Sequence, residues 1–168
     1  MFMVMPQAEY RAPSTWDSTG GMEFDASGTG QGKVSVRIDA AGKLGLFGES
    51  PTVQVVNLSG RQVTFSSCDQ NVPLVREAKD RSGRWRPIEW LSVSECGGKA
   101  TLPKLATGKM WVWPFVKNSG NFKTQVRFAV EANGKIVRSI PFEDSIDPGQ
   151  FQVEEGLRGS KLIRVGLG

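Results

Sequence analysis

The sequence contains no histidine. That removes Ser-His-Asp and Cys-His catalytic arrangements, the commonest ligand of catalytic zinc, and the only side chain that ordinarily titrates near neutrality. Cysteine is scarce, with only Cys68 and Cys96. Their spacing matches no metal motif, and two thiols without histidine make a poor metal site, so none is expected. No apolar run is long enough to span a membrane. No run of five or six basic residues occurs either: Arg61, Arg76, Lys79, Arg81, Arg84, Arg86, Lys99, Lys104 and Lys109 stand dispersed. The net charge of +4 therefore reads as a solvated basic surface, and nucleic-acid binding is not expected. Amphipathic helical periodicity is lacking throughout.

What is present is alternation. In Asn121–Glu131, residues Phe122, Thr124, Val126, Phe128 and Val130 fall on one side of an extended chain. Lys123, Gln125, Arg127 and Glu131 fall mostly on the other, which is the pattern of a strand with one face in a core and one in water. Asn133-Gly134 follows, then Ile136, Arg138, Ile140 and Phe142 with Val137 between. Asn-Gly tolerates the positive φ angles of a tight hairpin turn. Similar strands are predicted over 33–39, 44–47, 52–58, 61–67, 72–79, 84–91, 101–105 and 109–117. Asp80-Arg-Ser-Gly83 reads as a strong turn, and Pro103 and Pro114 argue for edge positions. Glu143–Gly149 reads as a loop, and Phe151 as the last core position. The 20 glycines and 9 prolines suit many turns between short strands.

The predicted fold class is all-β, an antiparallel immunoglobulin-like sandwich with extended arms. Residues 1–32 form an irregular N-terminal arm, 33–152 the β-sandwich domain, and 153–168 a C-terminal tail or added strand. Val53-Gln-Val-Val-Asn-Leu-Ser-Gly-Arg-Gln-Val-Thr-Phe65 and Gly120-Asn-Phe-Lys-Thr-Gln-Val-Arg-Phe128 resemble bacterial immunoglobulin-like modules. The resemblance covers about 51–142. It implies a fold and no activity.

The candidate chemistry is sparse. Cys68 and Cys96 read as one disulfide tying two loops, worth about 3–4 kcal/mol by loop closure, with two free thiols as the alternative. Gly28-Thr-Gly-Gln-Gly-Lys33 fails as a phosphate loop: Ser27 and Val34 break the pattern, and a strand follows instead of a helix. Glu143, Asp144 and Asp147 surround a turn that reads as a solvated acidic loop, with calcium the lesser alternative. Trp111 and Trp113 share a face and form a candidate sugar platform, against the alternative of core packing. Asn57-Leu58-Ser59 is a glycosylation sequon.

No nucleophile–base pair is visible, so no catalytic residue and no cofactor are expected. The function read from the chain is a non-enzymatic structural or interaction subunit of a larger assembly, such as a virion, surface layer or filament. Its arms would associate by β-strand addition. The assembly contacts would come from Trp16, Met22 and Phe24 in the leader and Leu162, Ile163 and Val165 in the tail. The partners would be copies of itself or other subunits. The alternatives are a secreted carbohydrate-binding module with a glycan partner, and a protein-binding or proteinase-inhibitor module using a loop such as 80–86. The expected setting is extracellular, cell surface or virion, although Met1-Phe-Met-Val-Met-Pro6 does not form a normal signal peptide.

Overall fold

The computed structural model describes residues 22–23, 33–43, 46–65, 72, 74–89 and 102–152. Within them the chain is all-β. The strands are β1 (Met22–Glu23), β2 (Val34–Asp39), β3 (Leu46–Glu49), β4 (Thr52–Asn57), β5 (Val63–Thr64) and β6 (Val75–Lys79). They continue with β7 (Trp85–Pro87), β8 (Lys104–Leu105), β9 (Lys109–Pro114), β10 (Phe122–Ala132), β11 (Lys135–Arg138) and β12 (Phe142–Ile146). A 3-10 turn, Pro148–Gln152, follows. Every strand ladder between these elements is antiparallel.

One sheet runs β1-β9-β4-β2 and a second β11-β10-β6-β7, with β12 also on β10. The small β5–β8 pair joins the second sheet through a Phe65–Ala132 bridge. The main core draws on both sheets. Val36, Val53, Val55, Trp111 and Phe115 meet Phe128, Val130 and Ala132, while Val63, Phe65 and Leu105 complete it. Phe65 and Leu105 have no exposed surface, and each such burial contributes about 2–3 kcal/mol.

β4 departs from simple alternation. Its outer residues Thr52, Gln54 and Val56 are as buried as Val53 and Val55. Val56 packs there with Met110 and Val112, against Phe47 and Leu58. A second small core forms where the eleven-residue β10 continues past the main one. It holds Ala78, Ile88, Val126 and Ile146, and Phe151 of the 3-10 turn packs against it.

The β10–β11 hairpin turns at Asn133 and Gly134, with φ of 48° and 72°. Asn133 also ties the turn to β5, its N–H donating to Thr64 O while its Oδ1 accepts from Thr64 N–H. Beyond β11 the edge is bulged. Ala129 pairs with Arg138 and Val126 with Phe142, so Arg127 and Phe128 face the three residues Ser139, Ile140 and Pro141. Buried Ser139 closes the gap: its N–H donates to Phe128 O at 2.8 Å, and its hydroxyl accepts from Phe128 N–H at 3.0 Å. Ile140, at the crest, is 75 % exposed.

The bulge reverses the side-chain parity along this stretch: Val137 and Phe142 both pack on the core, on opposite parities of the chain. The predicted loop at 143–149 is largely strand, because β12 covers Phe142–Ile146. Two of its acidic residues obscured it: Glu143 points outward, while Asp144 is buried and satisfied by a distant segment, receiving Asn118 N–H at 3.1 Å and Asn118 Nδ2 at 2.8 Å. That segment lies hard against β12, with Gly120 N–H donating to Ser145 O at 2.7 Å. A Cβ at Gly120 would stand 1.9 Å from the Ile146 carbonyl carbon, so only glycine fits. Predicted strands 61–67, 72–79 and 84–91 shorten to β5, β6 and β7 within the described residues.

Candidate interaction edges

Strand addition needs an edge whose N–H and C=O groups face outward. The leader already supplies one instance. Met22 pairs with Met110 and Glu23 with Lys109, so a segment expected to be irregular lies as β1 against β9. Among the described residues this ladder covers the first two of the six residues of β9.

The other edges differ in how they are guarded. β7 is three residues long and ends in Pro87. The β11–β12 edge carries the bulge, Pro141 and Lys135. β9 ends in Pro114, which lacks an N–H. β2 has six regular residues with no proline, glycine or bulge. Among the described residues it pairs only with β4.

The residues singled out in the sequence fall in different places. Trp16, Phe24, Cys68, Cys96, Leu162, Ile163 and Val165 lie outside the described residues, as does Trp90. Of the assembly candidates only Met22 is placed, through its backbone. Trp111 is 7 % exposed and lies against Phe65 at 5.0 Å. Trp113 is half-buried on the same core and meets Trp111 edge-on, with an interplanar angle of 68°. These rings pack with the core, and Trp111 offers no open face for stacking on a sugar.

Glu143 and Asp144 alternate across β12. Asp147 instead caps the 3-10 turn, accepting from Gly149 N–H at 2.8 Å. The three carboxylates therefore do not converge on one ligand. The 80–84 turn is closed on itself: Asp80 N–H donates to Arg84 O, and Gly83 N–H to Asp80 O. Asp80 Oδ1 accepts from Ser82 N–H, the Ser82 hydroxyl and Arg84 N–H. The Ser82 hydroxyl above all, with the two backbone donors and Arg84, holds this carboxyl below the usual aspartate range. So compact a turn does not present the extended backbone that a proteinase cleft receives.

The sequon has a structural role. Asn57 has no exposed surface. Its Nδ2 donates to Arg61 O at 2.9 Å and Leu105 O at 2.8 Å, while its Oδ1 accepts from Ser59 N–H and the Ser59 hydroxyl. Both amide hydrogens are thus engaged, and a glycan on this nitrogen is incompatible with the fold.

Sequence reasoning missed the charged row on the outer face of the second sheet. Glu77 is 1 % exposed, yet Arg127 and Arg138 both reach its Oε2, at 2.6 and 3.2 Å. The Arg127 guanidinium also lies over the Trp85 ring at 4.0 Å, and Lys79 Nζ lies 5.3 Å from it. Glu77 and Arg127 are directly paired across β6 and β10, so correct strand pairing would have revealed them. On the inner side, Arg76 pairs with Glu89 and donates to Val116 O, linking β6 to the segment after β9.

Two recesses lie on the described surface. One of about 320 Å³ is lined by Asp80, Arg81, Ser82, Phe122, Pro148 and Phe151. The other, of about 560 Å³, lies beside Pro51, Phe115 and Val116. No group of three or more carboxylate or thiol side chains among the described residues could hold a metal ion. No described helix is long and apolar enough to cross a membrane. Comparisons with protein-family models, with curated proteins and with solved structures find no match.

Proposed function

We propose that this chain is a non-enzymatic structural or interaction subunit, an immunoglobulin-like sandwich that associates through its terminal segments by β-strand addition. The observation that carries the reading is the placement of Met22–Glu23 as a strand on β9. A segment flanked by glycines and prolines adopts ladder geometry there because an edge strand offers unsatisfied backbone groups. The same chemistry serves a strand arriving from another subunit. The burial of Trp111 weighs against the carbohydrate-binding alternative.

The test is the native mass of the full chain by light scattering, before and after removal of 1–32 and, separately, of 153–168. Assembly that collapses to monomer on either truncation supports the reading. Equal masses for all three proteins refute it.

A further inference from the structure

We infer that β2 is an edge through which two copies of this chain join, antiparallel, about a two-fold axis at Val36. The inference rests on the strand-addition reading and names its partner, a second copy, and its edge.

The backbone phase comes first. Leu58 N–H donates to Lys33 O at 3.0 Å. Antiparallel ladders alternate, so Ser35, Arg37 and Asp39 also direct their backbone groups toward β4, opposite Val56, Gln54 and Thr52. The N–H and C=O groups of Val34, Val36 and Ile38 therefore point away from β4. No described strand pairs with them, and β2 carries none of the devices that guard the other edges.

Self-pairing about Val36 matches both backbone and side chains. Val36 meets Val36 of the second copy, and Val34 meets its Ile38. These are the residues whose N–H and C=O groups face outward. Ser35 lies opposite Arg37, and Lys33 lies opposite Asp39. The last is an opposite-charge pair, formed twice by symmetry, in the class of position where side chains approach most closely. Lys33 is exposed. Arg37 and Asp39 already have partners in their own chain, but a carboxylate has acceptor sites for a second cation. A one-residue slip would oppose outward groups with inward ones. A two-residue slip would put Arg37 on the axis, opposing two guanidinium groups, and would set Val34 opposite Ala40 of the following turn.

The test is sedimentation of the full chain over a concentration series. The parent is expected to form a dimer. Lys33→Asp sets two acidic pairs across the axis and should raise the dissociation constant roughly tenfold or more. The charge-swapped Lys33→Asp/Asp39→Lys protein should return to within a few fold of the parent. Because Asp39 also has a partner inside the chain, hydrogen exchange supplies a second readout. The Val34, Val36 and Ile38 amides should be protected at high concentration and exposed on dilution. A dimer indifferent to Lys33→Asp, or exchange at these amides that ignores concentration, overturns the inference. If association survives Lys33→Asp but is lost on removing an arm, the strand-addition reading stands and this edge is wrong. If it survives both truncations but yields to Lys33→Asp, this edge is right and the arms are not needed. A monomer at every concentration sinks both.

Discussion

Replacing Asn57 offers the sharpest check on how the fold is held. Its amide joins three pieces of chain: the end of β4, the 58–61 turn, and β8. Asn57→Ala removes one of two donors to Leu105 O, which keeps Val63 N–H across the β5–β8 ladder. It also leaves the half-buried Ser59 N–H and hydroxyl without their shared acceptor, while Arg61 O, on an exposed residue, can turn to water. At about 0.5–1.5 kcal/mol net for each hydrogen bond lost, the expected loss is about 2–3 kcal/mol, still a large share of the roughly 5–15 kcal/mol typical of a domain. Asn57→Asp adds a sign. It puts an oxygen where Nδ2 stood, 2.8 and 2.9 Å from two carbonyl oxygens. An ionised carboxylate is strongly disfavoured there, so the folded-state pKa of the new acid rises above its unfolded value of about 3.9. The folded state then binds more protons between those two pKa values. Stability relative to the parent is greatest below about pH 4 and falls as pH rises toward the folded-state pKa. Urea denaturation followed by tryptophan fluorescence at pH 4 and pH 7 measures this, read as midpoint shifts at constant slope. A loss under 1 kcal/mol for Asn57→Ala, or an Asn57→Asp deficit unchanged between the two pH values, would refute the reasoning.

Other perturbations probe the remaining contacts. Glu77→Ala leaves Arg127 and Arg138 without their shared carboxylate and should cost about 2–3 kcal/mol by the same denaturation assay. That is below the 3–5 kcal/mol of a fully buried pair, because the two arginines are 17 % and 25 % exposed. Ser139→Ala leaves the Phe128 N–H without its acceptor and should cost about 1–3 kcal/mol, with faster hydrogen exchange at that amide. The 80–84 turn should loosen in acid. The folded pKa of Asp80 is lowered, so its contribution is fully present above the unfolded pKa and is lost as pH falls through the folded value. Asp80→Asn should abolish that titration in amide chemical shifts of Ser82 and Arg84.

Features set by neighbours in sequence were legible. The alternation of Phe122–Val130, the Asn133-Gly134 hairpin and the Asp80–Gly83 turn express local backbone preferences, and all three are present. Features set by distant partners were not. Asp144 reads as a loop residue until Asn118 is brought against it. Asn57 reads as a modification site until Leu105 takes its amide hydrogen. Glu77 is one charge among several until β10 and β11 present two arginines. The pairing of Met22 with Met110 joins segments far apart in sequence, with no local pattern to announce it. For the candidate edges, sequence reasoning singled out Met22 in the leader, though not its pairing with β9. The difference between guarded and unguarded strands required the sheet order.

The bulge at Ser139–Pro141 acts as a parity bit for everything downstream. With its one extra residue, Phe142, Asp144 and Ile146 share β12's inner face, opposite Val126, Thr124 and Phe122. Deleting a single residue there would leave two residues facing two, so Phe142 would stay opposite Val126 and only the crest at Ile140 would be lost. Deleting two would leave one residue facing two and pull β12 out of its frame; a slip of one sends those three to solvent and turns Glu143 and Ser145 inward. The segment thus holds one residue of slack: the first deletion removes it, and the second is the damaging one.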